Sequence, residues 1–387
     1  MRSVAHMDLD SFFVSVECLR DSRLKGVPLI IGGGSDRAVV SSCSYEARRF
    51  GVHSAMPVKL AKRLCPDALI IGGDMELYSR YSKLVTDIIA ERAPLYEKAS
   101  IDEFYLDLSG MDRFFGTWKW MQELKQRVVR ESGLPITFAL SSNKTVSKIG
   151  TGEAKPDGQL QIPIGEEKPF LSPLPVSRIP MIGDKTYTML CSMGIRKIAT
   201  LQEMPPQAME RVMGQHGLLI WKKANGIDDS PVQPYREQKS ISTEHTFETD
   251  TIDVAMIRTL LVAMVEKLAY KLRKSNRLTG CVTVKIRYSD FDTASKQMHI
   301  AYTANDAVLM EHVRHVFDQL YRRRVLIRLV GVRLSALVRG SYQISLFEDT
   351  PAMISLYQAM DRIRNRYGSS AVQRAITLGA AFREYEK

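Results

Sequence analysis

The stretch Ala99-Ser100-Ile101-Asp102-Glu103-Phe104-Tyr105-Leu106-Asp107 sets two adjacent carboxylates inside an apolar, β-prone run. In a strand, neighbouring side chains point to opposite faces, so Asp102 and Glu103 cannot both be core, nor both idle surface. Burying even a neutral polar group without a partner costs about 2–7 kcal/mol. Two arrangements remove the conflict. One is a bound cation; the other is a turn, which leaves a tight hairpin tip with two solvated acids.

The choice between them turns on the other end of the chain. Residues 4–9 read as a buried strand, with Asp8 near its C-terminal end and Asp10 two residues on, on the same face while the strand lasts. Asp8 beside Asp102 and Glu103 makes a three-carboxylate cluster. Like charges at short range raise each other's pKa, so such a cluster needs a divalent ion. Oxygen-only ligands select a hard ion, Mg²⁺ or Mn²⁺. Asp10 or Ser11 stands where a helix N-cap is needed before Phe12-Phe13-Val14, and for Asp10 plain capping is the preferred reading.

The totals set the frame. At 387 residues and 45% hydrophobic content the chain is long enough for two or more domains with real cores. It has no apolar run of 18 residues to span a bilayer. Its first residues, Met1 to Asp8, turn acidic too early for a secretory signal. Five scattered cysteines, Cys18, Cys43, Cys65, Cys191 and Cys281, give neither zinc spacing nor a disulfide framework, which fits a reduced, cytoplasmic setting. A formal charge of +11 points to a polyanionic partner, and 18 lysines and arginines against 11 acids over residues 236–340 concentrate +7 of it in one region. That favours a surface that tracks a nucleic-acid backbone.

Taken in order, residues 28–31 and 38–42 read as strands around a glycine turn at 32–34. A helix is expected from Tyr45 to Gly51, with Tyr45, Arg48 and Arg49 on one face. A phenol and guanidiniums on one segment suit a triphosphate, and an ordinary basic surface helix is the alternative. A loop at 72–75 precedes a helix over 77–91. A helix over 118–131, a strand over 135–140, a polar turn at 141–144 and a helix ending at Lys155-Pro156-Asp157-Gly158 complete an alternation of strands and helices, hence an α/β or α+β domain with the acids on its sheet. The prolines of 166–180 mark a boundary. Ile179 to Lys185, a helix over 187–193, Gly194 and a helix from Ile198 match a helix-hairpin-helix, whose free amides can hold a phosphate; similar turns also join purely structural helices. Beyond Lys239, a helical stripe from Ile257 to Leu272 and alternating strands at 281–287 and 330–338 predict a helix-backed sheet with Val332, Leu334, Ala336 and Val338 inward and a basic exposed face. Near the end, Leu346 and Phe347 sit in a polar, turn-like setting, where exposed apolar side chains are unusual unless they dock.

Asp8-Leu9-Asp10-Ser11-Phe12-Phe13, Tyr45-Glu46-Ala47-Arg48, Ser100-Ile101-Asp102-Glu103 and Ala154-Lys155-Pro156-Asp157-Gly158 occur in the order seen in Y-family DNA polymerases. The chain resembles the DinB branch, with the UmuC type as nearest relative, continuously to about residue 340. The resemblance implies a right-hand fold: palm (1–10 and 74–165), fingers (11–73), helix-hairpin-helix thumb (166–235), little finger (239–340) and a tail (341–387). It implies a low-fidelity, DNA-directed nucleotidyl transfer suited to translesion synthesis by a monomer, with no membrane partner. By matching positions, Asp8, Asp102 and Glu103 with the Leu9 carbonyl hold two Mg²⁺ ions, for which Mn²⁺ can substitute. Phe13 is the steric gate against a 2′-hydroxyl. Ser42, Tyr45, Arg48 and Lys155 contact the incoming dNTP, and Gln343, Leu346 and Phe347 form a peptide for a β-type sliding clamp. Primer-template DNA is the main partner. Two positions and one tripeptide depart from the pattern: Met181 and Ala139 replace usual glycines, and Thr151-Gly152-Glu153 is unusually polar. A catalytically silent DNA-binding accessory protein and a nucleotide cyclase are the rival readings. The first leaves the intact acids unexplained, and the second has no use for residues 239–340.

Overall fold

The computed structural model describes residues 2–35, 37–111, 116–234, 237–340, 351–368 and 371–378. Gln343, Leu346 and Phe347 lie outside them. The chain divides between residues 236 and 237 into two compact units.

The first unit opens with β1 (Val4–Leu9), α1 (Phe12–Arg20), β2 (Leu29–Gly32), β3 (Val40–Cys43), α2 (Tyr45–Arg48), α3 (Val58–Leu64) and β4 (Leu69–Ile71). It continues through α4 (Met75–Ala90), β5 (Tyr96–Lys98), β6 (Glu103–Asp107), α5 (Thr117–Ser132), β7 (Ile136–Ser141), α6 (Lys144–Ala154) and β8 (Gln159–Gln161). Helices α7 (Glu167–Leu171), α8 (Asp184–Ser192), α9 (Ile198–Glu203) and α10 (Pro206–Ala224) close it. The main sheet runs β5-β6-β1-β7-β8. Strand β1 is its centre, antiparallel to β6 on one side and β7 on the other. Alternation splits the sheet into two unlike faces. Ala5, Met7, Leu9, Phe104, Leu106, Ile136, Phe138 and Leu140 pack against α4 and α5 in a dry core. His6, Asp8, Glu103 and Tyr105 take the other face, over which α6 lies.

Helix α6 approaches closely because Gly150 carries no side chain: a Cβ there would meet Ala139 Cβ at 3.0 Å and Ile162 at 2.7 Å. The alanine at 139 is therefore accommodated by a glycine on the facing helix. A smaller sheet, β3-β2-β4, has its own core of Ile30, Val40, Ala47, Met56, Val58 and Ala61. Helices α7 to α10 gather around Leu171, Ile179, Leu190, Ile198, Leu201 and Ile220. Before α8, Met181 has φ +83°, a backbone position that favours glycine, and its side chain is exposed.

Three expectations need correction. The run from Ala99 is not one strand: β6 begins at Glu103, and Ser100-Ile101-Asp102 form the turn from β5, with the Ala99 N–H donating to the Glu103 carbonyl at 2.9 Å. The helix expected from Tyr45 to Gly51 stops at Arg48 after four residues. Its brevity follows from Gly51, at φ +86°, whose N–H turns back to the Arg48 carbonyl. The third lies in the second unit.

That unit contains β9 (Ser240–Thr251), α11 (Val254–Lys274), β10 (Arg277–Tyr288), β11 (Thr293–Thr303), α12 (Asp306–Leu320), β12 (Ile327–Arg339) and α13 (Pro351–Tyr367). Its antiparallel sheet runs β11-β10-β12-β9 and is backed by α11 and α12. Val282, Val284, Ile286, Val330, Val332 and Leu334 face those helices. Ala336 does not: at φ +51° it bulges out and is exposed, opposite Gly280, where the ladder skips a pair. The open face carries Lys285, Arg287 and Arg333 among serines and threonines, and Glu244 pairs with Lys285 at 3.0 Å. It is polar and moderately basic. All five cysteines are free thiols. Among the described residues no helix is long and apolar enough to cross a membrane.

Helix α13 is bound to α11 through charge. The buried Arg273 guanidinium reaches Asp306 at 2.5 Å and Asp361 at 2.6 Å, and Tyr357, 1% exposed, donates to Asn305 at 3.0 Å. Removing one member of a buried pair strands the other charge, so Arg273→Met should cost about 3–5 kcal/mol. Urea unfolding measures this; a loss below about 1 kcal/mol would mean that the pair does not hold the helix.

Candidate active site

Strand pairing puts the Asp8 residue directly opposite Glu103, and chain connectivity adds Asp102. The Leu9 N–H donates to the Asp102 carbonyl at 3.1 Å, which pins the β5–β6 turn to the end of β1. Ser100 shapes that turn from inside. Its hydroxyl bonds the Asp102 carboxylate at 2.5 Å and accepts the Glu103 N–H at 3.1 Å. From α4, the Ser82 hydroxyl holds the Ile101 carbonyl, and Lys98 holds Ser82 at 2.7 Å.

The acids are not drawn together by one another. Lys155 meets Asp8 at 2.5 Å, and Lys148 meets Glu103 at 2.5 Å. Burial raises the Asp8 carboxyl to about 6; Lys155 opposes that shift, while the Glu103 and Asp102 charges add to it. Among the described residues no three His, Cys, Asp or Glu side chains stand as a ready ligand set. The donor chemistry nonetheless fits a hard ion. Three carboxylates and the Leu9 carbonyl, which Lys155 approaches at 3.5 Å, offer oxygen alone, and ammonium groups now supply the positive charge that the acids need.

A cleft of about 160 Å³ collects most of the residues singled out from the sequence: Asp8, Leu9, Phe13, Ser42, Arg48, Asp102 and Lys155. Ser41 and Ser54, not foreseen, also line it. Phe13 is fixed by stacking on Tyr78, centroids 4.3 Å apart and rings 12° from parallel, while the Tyr78 hydroxyl donates to Glu17 at 2.7 Å. Arg48 donates to the Cys43 carbonyl at 3.3 Å and lies over the Tyr45 ring. Glu103 and Tyr45 do not line the cleft. Tyr45 faces a neighbouring cavity, and its hydroxyl donates to Asp10 at 3.3 Å.

Asp10 is no helix cap. The cap position belongs to Ser11, left-handed at φ 42° and making no side-chain cap bond. The Asp10 carboxylate, 2% exposed, accepts from Thr137 at 2.9 and 3.0 Å, from Tyr45, and from the Asp157 N–H at 2.8 Å, with Lys155 at 3.8 Å. It ties β1, β7, α2 and the Lys155-Pro156-Asp157 loop to one point. Sequence spacing cannot show this, because every partner lies more than 30 residues away. Lys148 was also missed, although Lys144 and Lys148 at i, i+4 gave a readable stripe. Asp10→Asn turns an acceptor-only group into one that presents an NH₂ to donors. It should cost about 1–3 kcal/mol of stability. Urea unfolding checks this, and an unchanged midpoint would refute the role of Asp10 as a hub.

Residues 7–152 match the impB/mucB/samB family and residues 238–346 its C-terminal domain. The DNA polymerase IV of Dehalococcoides mccartyi is 37% identical over 377 residues, covering 96% of this chain and 97% of that one. The DNA polymerase IV 2 of Methanosarcina mazei is 35% identical over 355 residues, covering 90% and 96%. Among solved structures, a Y-family Dbh–Dpo4 chimera superposes with a TM-score of 0.77 at 26% identity, covering 87% of this chain and 100% of that one. DinB of Sulfolobus solfataricus gives 0.61 at the same identity and coverage. The chain belongs to the impB/mucB/samB family, as a DinB-type Y-family DNA polymerase with the palm, fingers, thumb and little-finger architecture of that family.

Proposed function

We propose that this chain extends a DNA primer by template-directed, low-fidelity addition of deoxynucleotides and that it copies past damaged bases. The observation that carries the reading is the single cleft in which Asp8, Asp102, Phe13, Arg48 and Lys155 meet. In it, Asp8, Asp102, Glu103 and the Leu9 carbonyl would hold two Mg²⁺ ions, or Mn²⁺ in their place. Bound there, such ions acidify the primer hydroxyl and neutralise the triphosphate.

The rest is done by the chain itself. Arg48 and Lys155 bind the triphosphate and stabilise charge as it moves toward pyrophosphate. Ser42 adds a hydroxyl, and Tyr45 supports Arg48 through its ring face. Phe13, locked against Tyr78, stands under the sugar and leaves no room for a 2′-hydroxyl. We assign residues 1–10 and 74–165 to the palm, 11–73 to the fingers, 166–235 to the thumb, 239–340 to the little finger and 341–387 to the tail. The open sheet face of the second unit, with Lys285, Arg287 and Arg333, would follow the backbone of primer-template DNA, so binding falls with salt. Gln343, Leu346 and Phe347 would dock in a sliding clamp. The working form is a monomer in the cytoplasm.

A one-nucleotide primer-extension assay tests the reading. Wild-type chain extends with Mg²⁺, and Asp102→Asn slows extension about a hundredfold or more. No extension by the wild type would leave a silent DNA-binding protein; near-normal extension by Asp102→Asn would remove the ion assignment. In the same assay Phe13→Ala should raise the ribonucleotide-to-deoxynucleotide ratio about 10- to 200-fold. An unchanged ratio would exclude Phe13 as the gate.

A further inference from the structure

Helix α6 lays a row of ammonium groups over the charged face of the main sheet. Lys144 and Lys148 are four residues apart on one stripe, and Lys155 follows just past the helix end. Each takes one carboxylate from a different strand. Lys144 binds Glu97 of β5 at 2.6 Å, Lys148 binds Glu103 of β6 at 2.5 Å, and Lys155 binds Asp8 of β1 at 2.5 Å. Beneath them His6 is fully buried, and its imidazole is pushed well below its usual pKa by burial and by the charges of Lys148, Lys155 and Lys144. The row is thus compact enough for all three charges to act on one buried ring.

The three pairs are not equivalent. The Lys144–Glu97 pair is closed off: its side chains are 10% and 4% exposed, Lys144 lies 4.5 Å from the Tyr105 ring centroid, and Glu97 also accepts the Gln233 N–H at 2.8 Å. Lys155 is shared among Asp8, Asp10 and the Leu9 carbonyl. The Lys148–Glu103 pair is open to water, its side chains 34% and 23% exposed, and among the described residues it is the one side-chain hydrogen bond that either partner makes. A pair so placed is easily parted.

We propose that Lys148 is a displaceable counter-ion, which neutralises Glu103 while the acid cluster is empty and must be pushed aside before Glu103 can bind a divalent cation. The inference rests on the reading of Asp8, Asp102 and Glu103 as ion ligands. Its consequence is that the free protein binds divalent ions more weakly than its three acids alone would allow. Lys148 is a positioning residue here: it sets where Glu103 points and how readily the cluster accepts an ion.

The test is Mn²⁺ binding to the full-length, metal-stripped chain without DNA or nucleotide, read from the free Mn²⁺ signal by electron paramagnetic resonance. Lys148→Met keeps the stem and removes the charge, so Mn²⁺ should bind about five- to tenfold more tightly, as expected for losing a partly exposed competitor. Lys148→Arg keeps the charge and should stay within about twofold of wild type. Melting temperatures give a second readout. The gap between EDTA and saturating Mn²⁺ should widen in Lys148→Met, because the ion-free state loses its counter-ion and the loaded state does not. Affinity unchanged or weakened in Lys148→Met, or an unchanged melting gap, would overturn the role of Lys148 wherever Glu103→Gln still weakens Mn²⁺ binding. If Glu103→Gln binds Mn²⁺ as the wild type does, the ion reading itself fails and the proposal fails with it.

Discussion

Everything in the first unit depends on β1 being gripped on both edges. Flanked by β6 and β7, it can bury Ala5, Met7 and Leu9 on one side only by turning His6 and Asp8 to the other. A shift of one residue would exchange the two sets, burying Asp8 in the dry core and exposing Met7. The hydrophobic core therefore fixes the register, and the register fixes which acids meet. Asp8 faces Glu103 across one ladder and Thr137 across the other because the apolar residues between them leave no other pairing.

That solution creates an electrostatic problem, which α6 resolves. The charged face collects Glu97, Glu103 and Asp8, and no carboxylate cluster stays ionised without compensation. Gly150 lets the helix settle on Ala139, close enough for its lysines to reach down to the strands. Packing and charge depend on each other here. A bulkier residue at 150 would lift the helix and part the ammonium groups from the acids together.

Much of this was legible in the sequence, for physical reasons that differ by residue. Strands β1, β7, β10 and β12 and helices α4, α5 and α11 followed from period-2 and period-3.6 patterns, since burial is what those patterns record, whereas β9 and β11, the edge strands of the second sheet, drew no such reading. The cleft residues Asp8, Phe13, Arg48, Asp102 and Lys155 stood out because each sits in a motif of family spacing. The turn at Ser100 to Asp102 was only one of two open alternatives, since Ile101 and Phe104 look β-prone whether or not the ladder has started. Ala336 broke its alternation because a bulge depends on the partner strand at Gly280 rather than on its own neighbours. Asp10 was misread for the same reason. Beside an apolar helix an aspartate looks like a cap, and only the folded chain brings Thr137 and the Asp157 N–H to it.

Partner counts then separate acids that hold the fold from acids that can act. Asp10 is dry and accepts from three different groups, and Glu97 is dry and held by a lysine and a backbone N–H. Asp228 accepts from the Thr145 hydroxyl at 2.6 Å, the Thr145 N–H at 3.1 Å and Ser230, and these bonds with the nearby Lys223 charge outweigh burial, so its carboxyl lies below the usual range. A carboxylate so satisfied gains little from a further ligand and loses its present bonds if it moves. Among the described residues Asp102 has one hydroxyl, Glu103 one lysine and Asp8 one lysine shared with Asp10. These three keep lone pairs free and partial access to water, although they stand within one strand pairing of the saturated set. The acids with room for a further ligand are thus those at the end of β1, where the register sets Asp8 opposite Glu103. Their saturated neighbours, Asp10 and Glu97, tie the surrounding strands and loops together.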